Sequence, residues 1–367
     1  RELALKGATL AADGGVALGS DGKLAATNGN LTRGKGLTMS ASQIGLGGTS
    51  RADAAGDVRL SGGDITNQGQ VNTSGGLALS ASALDNSGKL AAKGQVDAQA
   101  SRLNNSGNIQ GNGVTVHAGT TQNSGALQSS DALSLTGDAL SQSGTLSAGG
   151  DMTLSLTGVL ENGGQGKTLS DGLLQIDAGT WTQNGTLSGQ QGLTVNAGNL
   201  YGGEGSLTSS LGEIHLNATQ HAGFDGQVSA TGNLTVTADD VATGTHAQLQ
   251  SSDTLNLQAN SVTLDGTQAA KNALTVTAKT LSHGGKSSAD NITLNAPQTL
   301  TNSGTMQADA LTLSSSHITN SGLLQGTNTF DLHTDRLDNL AGGTLYSVHD
   351  LTFDIPELNN SGLITTD

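Results

Sequence analysis

Carboxylates and imidazoles are the residues to test first, because paired acids perform general acid–base work and grouped imidazoles hold metal ions. The 367-residue chain carries 30 acidic residues and 8 histidines. Asp239 and Asp240 adjoin each other at an expected turn, but register in the sequence supplies no partner for either. His117, His215 and His333 fall on the outward phase of their segments, as in EIHLN, where Ile214 and Leu216 point inward. They are expected to be solvated rather than ligating, since a metal needs several imidazoles at close range. Trp181, Phe330 and Phe353 occupy positions that are apolar elsewhere in the chain, and are expected in the core. No catalytic, cofactor-binding or metal-ligating residue is assigned, and no cofactor is expected.

Side-chain amides form the clearer pattern. Leu84-Asp85-Asn86-Ser87-Gly88 returns as Leu103-Asn104-Asn105-Ser106-Gly107. Two residues after an apolar anchor, one slot holds Asn67, Asn86, Asn105, Asn123, Gln142, Asn162 and Gln183, lapses, and recovers as Asn302, Asn320, Asn339 and Asn360. An amide both donates and accepts, so a stack of them would pair repeat to repeat where the backbone bends away from its ladder. Two positions later come Gly69, Gly88, Gly107, Gly125, Gly144 and Gly164, then Gly304, Gly322 and Gly362. A tight corner that needs positive φ or close backbone approach would select glycine there.

The elements that position these corners follow from apolar alternation. A doublet recurs at Val16/Leu18, Leu37/Met39, Val58/Leu60, Leu77/Leu79, Val96/Ala98, Val114/Val116, Leu133/Leu135, Leu154/Leu156 and Leu174/Ile176. It continues at Leu193/Val195, Ile214/Leu216, Leu234/Val236, Leu255/Leu257, Leu274/Val276, Ile292/Leu294, Leu311/Leu313, Phe330/Leu332 and Leu351/Phe353. A period of two within each doublet is the strand signature. A second apolar pair follows the glycine, as in GKLAA (88–92) and GTLSA (144–148). Two or three short strands in about 20 residues predict one coil of a parallel β-helix. A leucine-rich repeat would need a helical segment in each unit, and no 3.6-residue pattern is present. About eighteen coils at ~4.8 Å each predict a rod of roughly 85 Å.

Composition agrees. With 55 Gly, 2% aromatic and 12% charged residues, the chain cannot fill a broad core but could fill a narrow tube. Regular alternation argues against a disordered Gly/Ser polymer. A net charge of −15 with scattered acids makes nucleic acid an unsuitable partner. No apolar run reaches the ~20 residues of a membrane span. Cysteine is absent, which fits a chain that must stay unfolded while crossing an oxidising space. The start at Arg1-Glu2-Leu3 and the lack of obvious polar caps suggest an internal fragment of a longer filament, read as one continuous repeat domain over 1–367.

LTNSGTMQADALTLSSSHITNSGLLQG (300–326), LDNSGKLAAKG and TQNSGALQSSDALSLTG resemble the haemagglutinin repeat of filamentous haemagglutinins. The likeness is strongest over 65–200 and 300–367 and weak before 65. That family comprises large exoproteins of Gram-negative bacteria exported by two-partner secretion, including adhesins and contact-dependent growth-inhibition effectors. The resemblance implies a right-handed parallel β-helical shaft outside the cell, an outer-membrane transporter during secretion, and for adhesive members a target-cell receptor. Export signal and toxin payload are not assigned to these residues.

Other readings are weighed against this one. Polysaccharide-active enzymes also use β-helices, but doublet spacings of about 18–21 residues leave no room for catalytic loops beyond the turns. Outward threonines such as Thr235/Thr237 and Thr275/Thr277 would suit an ice-binding array, yet Asn196, His215, Asn256 and Asn295 interrupt them. Sequons at Asn217-Ala218-Thr219 and Asn233-Leu234-Thr235 arise readily in such a composition. Segment 200–285 is irregular: the amide slot reads Gly202, Ala222, Thr243, Leu264 and His283, and the glycine place reads Glu204, Phe224 and Thr245. Drift in a tolerated turn is expected there, with a receptor-facing patch as the alternative.

Overall fold

The computed structural model describes residues 1–27, 29–33 and 35–367, with the side chains of 30–33 left aside. Its described elements are all β-strands, and every strand pairing is parallel. The chain divides into two compact units: Arg1–Gly179 with Gly185–Ser188, and Thr180–Asn184 with Gly189–Asp367.

Each unit is a β-solenoid whose coil has three faces. In the first unit, strand Leu77–Asn86 supplies the doublet Leu77/Leu79 and then the anchor Leu84, and Lys89–Ala92 follows the corner with Leu90. Strand Gln95–Asn105 repeats the path one coil on, pairing Val96 with Leu77, Leu103 with Leu84 and Asn105 with Asn86. Alternate residues therefore stack in apolar columns, and Leu77, Leu84, Leu90, Val96 and Leu103 are all buried. In the second unit the same arrangement links Lys286–Asn295 to Thr305–Asn320, with Ile292 over Leu311 and Ser287 over Met306. A single coil cannot cover its own apolar side, so burial comes from the neighbours above and below.

About 19 turns are formed in all, one more than the doublets count. Strand Glu2–Lys6 pairs with Lys23–Thr27 and so precedes the first complete coil. Two expected doublets need correction. Leu133 stacks on Met152 and Met152 on Leu174, so the doublet of that coil is Met152/Leu154, not Leu154/Leu156. Met152, Leu154 and Leu156 alternate and are all buried, so apolarity alone did not fix the register. At Leu351/Phe353 no strand forms; Phe353 is half-buried and meets Phe330 edge-on at 6.1 Å between ring centroids.

The corners differ in length. Strand Leu77–Asn86 is followed by two residues before Lys89–Ala92, whereas Val159–Asn162 is followed by four before Lys167–Ser170. The added pair lengthens that coil, which runs 22 residues from Met152 to Leu174. Because Lys167 stacks on Thr145, Gly166 rather than Gly164 lies over Gly144.

Candidate functional site

The repeated corner is the chain's most constructed feature. In the first unit, Asn67 Nδ2 donates to Asn86 Oδ1 at 2.8 Å, Asn86 to Asn105 at 2.8 Å, Asn105 to Asn123 at 2.8 Å, and Asn123 to Gln142 Oε1 at 2.7 Å. All five residues are buried. Each amide nitrogen also reaches a carbonyl at the start of the following coil's exit strand; Asn105 Nδ2 lies 3.0 Å from the Ala126 carbonyl, for example. The column runs one way: every amide-to-amide bond is donated to the following coil. Such a buried chain is stabilising only while each member has both partners.

Glycine answers to close approach, not to positive φ. Among the described residues positive φ occurs at Gly7, Gly205 and Gly342, none of them a member of the Gly88–Gly107–Gly125 series. A Cβ on Gly107 would instead stand 2.1 Å from the Gly88 carbonyl oxygen, and one on Gly125 2.1 Å from that of Gly107. Stacked corners leave no volume for a side chain.

The second unit carries the same column from Asn302 to Asn320 at 2.8 Å, on to Asn339 at 2.9 Å, and to Asn360 at 2.8 Å. Upstream the register corrects the expected reading. Leu200 stacks on Ala222 and Gly202 on Phe224, so Ala222 is an anchor and Phe224 occupies the amide slot. The corner place that glycine usually fills is held by Ser206, Gly226 and Ala247, each preceding its exit strand, not by Glu204, Phe224 and Thr245. An irregularity between Ala197 and Asn199 in the pairing of Gly192–Gly202 with Glu213–Phe224 hid this shift from the sequence. The same shift sets His221 over Asp240, whose Oδ2 lies 2.6 Å from the imidazole Nδ1. Asp240 therefore has a partner, and Asp239 accepts from Asn260.

Buried Phe224 fills the room that Gly202 leaves: a Cβ on Gly202 would lie 3.2 Å from the Phe224 ring. Beyond it the polar column resumes by another route. Leu264 occupies the slot, but Gln268, on the exit strand of the same coil, sits 3.4 Å from Thr243 Oγ1. Ser287 Oγ stands 2.8 Å from Gln268 Oε1 and 2.8 Å from His283 Nε2, and His283 Nδ1 is 2.7 Å from Asn302 Oδ1. Thr243, Gln268, Ser287 and His283 are all buried. Ser287 has one hydroxyl proton to give. Burial pushes the His283 imidazole below its ordinary value, outweighing the hydrogen bond to Asn302. A neutral ring that donates from Nδ1 to Asn302 accepts at Nε2 from Ser287, and the Gln268 amide must then be turned over so that Nε2 instead of Oε1 faces Ser287. Thr168 and Thr208 play a similar part beside Asn162 and Gln183, at 3.3 Å each. Sequence reasoning missed these residues; the available signal was a polar residue where the exit strand usually places Leu, Val or Ile.

The outward positions are varied. His117 and His333 are exposed and His215 is half-buried beside Glu213, at 3.0 Å. Trp181 is buried. The outward column through Thr235 reads His215, Thr235, Asn256 and Thr275, so threonine does not form a continuous array. Asp338 accepts from Asn359, His317 and Arg336, and these partners hold its carboxyl down at about 2. No helix is long and apolar enough to cross a membrane among the described residues.

The haemagglutinin repeat family matches residues 2–69, 37–155, 111–179, 169–221, 229–307 and 299–366. A tRNA nuclease CdiA of Escherichia coli O6:K15:H31 (strain 536 / UPEC) is 36% identical over 225 residues, 61% of this chain and 7% of the relative. A Toxin CdiA of Escherichia coli is 37% identical over 214 residues, 58% of this chain and 7% of the relative. A deoxyribonuclease CdiA of Dickeya dadantii (strain 3937) is 31% identical over 237 residues, 63% of this chain and 7% of the relative. The chain thus spans about 7% of the length of these relatives. No solved structure matches.

Proposed function

The chain belongs to the haemagglutinin-repeat family, and from that premise we propose that it is a shaft segment of a two-partner-secretion exoprotein. Proteins of this kind are secreted and exposed on the surface of Gram-negative bacteria. The segment's work is mechanical: stacked coils hold a binding or toxic module away from the cell. The observation that carries this reading is the buried amide column from Asn67 to Gln142, which commits a buried residue of each coil to coil-on-coil stacking. Catalysis is no part of the proposal. The nuclease names of the relatives belong to proteins of which this chain matches a small share, and their different named activities accompany similar repeats.

The whole protein would cross the outer membrane through a dedicated transporter as an unfolded chain, in keeping with the absence of cysteine. Nucleic acid is not proposed as a partner, given the net charge of −15. The changes in 200–285 supply an interior rationale, Phe224 over Gly202 and Gln268 beside Leu264, that needs no receptor. We therefore read that segment as shaft, within one continuous repeat domain over 1–367. Two variants of the parent exoprotein test this. Deleting 84–102 rejoins the chain at Leu103 in register with the lost Leu84, and delivery or adhesion should persist. Replacing 200–285 with regular repeats should also leave target-cell binding intact. Loss of binding by a folded replacement would identify the segment as the receptor-facing part instead.

A further inference from the structure

The first three of the five coils that interrupt the amide column also bring together three side chains on the outside of their corners. Glu204 lies in the four-residue corner between strands Gly192–Gly202 and Leu207–Ser210. Asp225 lies in the two-residue corner between Glu213–Phe224 and Gln227–Ala230. His246 lies in the four-residue corner between Asp240–Thr243 and Gln248–Ser251. Leu207 stacks on Gln227 and Gln227 on Gln248, so the three corners belong to consecutive coils. The two long corners reach across the short one. His246 Nδ1 stands 3.3 Å from Asp225 Oδ2 and 3.8 Å from Glu204 Oε2, and one donor atom from each residue lies within 4.8 Å of the others.

Asp225 is held in place by its other oxygen, because the His246 backbone N–H donates to Asp225 Oδ1 at 3.0 Å. Ligands at ~2.0–2.2 Å from a first-row divalent ion stand roughly 3.0–3.6 Å from one another. The His246–Asp225 separation already falls in that range, and the long Glu204 side chain has little distance left to close. One imidazole with two carboxylates suits zinc and its neighbours better than calcium, which takes an all-oxygen shell. Among the described residues this is the one such group of three. Other imidazole–carboxylate contacts differ: His221 meets Asp240 alone, and Asp338 beside His317 is also taken by Arg336.

We propose that Glu204, Asp225 and His246 form a surface site for a first-row divalent cation of the zinc class, completed by water. The ion clips three consecutive coils from outside, where the slot residues Gly202, Phe224 and Thr243 interrupt the amide-to-amide column inside.

The test is calorimetric titration of the chelator-treated 367-residue chain with Zn²⁺ alone at pH 7.5, with Ca²⁺ in parallel. One saturable equivalent of Zn²⁺ should bind and raise the melting temperature. His246→Asn and Asp225→Asn should each weaken that equivalent at least tenfold and abolish the thermal shift. His317→Asn should retain both effects. All three side chains are at least partly exposed, so circular dichroism should find the variants folded. Three results would overturn the site: no saturable Zn²⁺ binding, binding undiminished in His246→Asn, or equal Ca²⁺ binding that His246→Asn leaves unchanged.

Discussion

Between Asn67 and Gln142 five successive coils place an amide in one slot, and each donates to the next. Between Gly202 and His283 the same slot holds Gly, Phe, Thr, Leu and His. The first region keeps its column by repetition. The second keeps its packing by exchange: Phe224 takes the space over Gly202, and the polar chain passes Leu264 through Gln268 and Ser287. What the fold conserves is a filled, hydrogen-bonded interior at the bend, and the identity of the residue in the slot is secondary.

The comparison breaks most easily at the regular corner. Gly107→Ala drives a Cβ to 2.1 Å from the Gly88 carbonyl oxygen and 2.6 Å from the Ser87 carbonyl carbon. Both obstacles are backbone, so the cost should reach the upper end of overpacking penalties, roughly 3 kcal/mol. In the irregular region Ala247 already occupies the equivalent place after a longer corner, and Ala247→Gly should be far milder. Urea unfolding midpoints of the two variants make the comparison.

Asn105→Leu comes next. It strips Asn86 of its acceptor and Asn123 of its donor, at about 1–3 kcal/mol for buried polar groups left unpaired. Thr115→Ser, on the outward side of strand Gly113–Asn123 in the following coil, should leave the melting temperature nearly unchanged. Equal shifts for the two would mean that the column contributes nothing.

The rerouted section is sharpened by a double-mutant cycle. Gln268→Met and Ser287→Ala each leave a buried partner short, but together they remove both ends of one contact. The pair should therefore cost less than the two singles added, with a coupling of about 0.5–3 kcal/mol for residues in one network. Strict additivity would separate Gln268 from the column.

Much of the coil was legible in advance, for physical reasons. A period of two reports sidedness directly, so Leu77/Leu79, Leu84 and Leu90 were placed correctly, as was the amide slot through Gln142. Register failed where corner length changed. The four-residue corner after Asn162 and the irregularity near Asn199 each moved the frame, misplacing Leu154/Leu156, Gly164, Ala222 and Phe224. Alternating apolar residues are indifferent to a shift of two, and only pairing across coils resolves it. The contacts of Gln268 with Thr243, or of His246 with Glu204, join residues on different coils and leave no periodic trace.

His283 tests the rerouted column most directly. With its pKa lowered by burial, the folded ring stays neutral while the unfolded ring takes up a proton below its ordinary value of about 6.5. Stability from this group is thus fully present above that value and falls as pH drops below it, until the folded pKa is reached. Nitrogen-15 NMR of histidine-labelled protein, assigned with His283→Asn, reads both charge and tautomer. A His283 ring that stays neutral at pH 6, with its proton on Nδ1 toward Asn302, is the predicted result. A ring that titrates near 6.5 and exchanges freely between tautomers would contradict a hydrogen-bonded column through Ser287, His283 and Asn302.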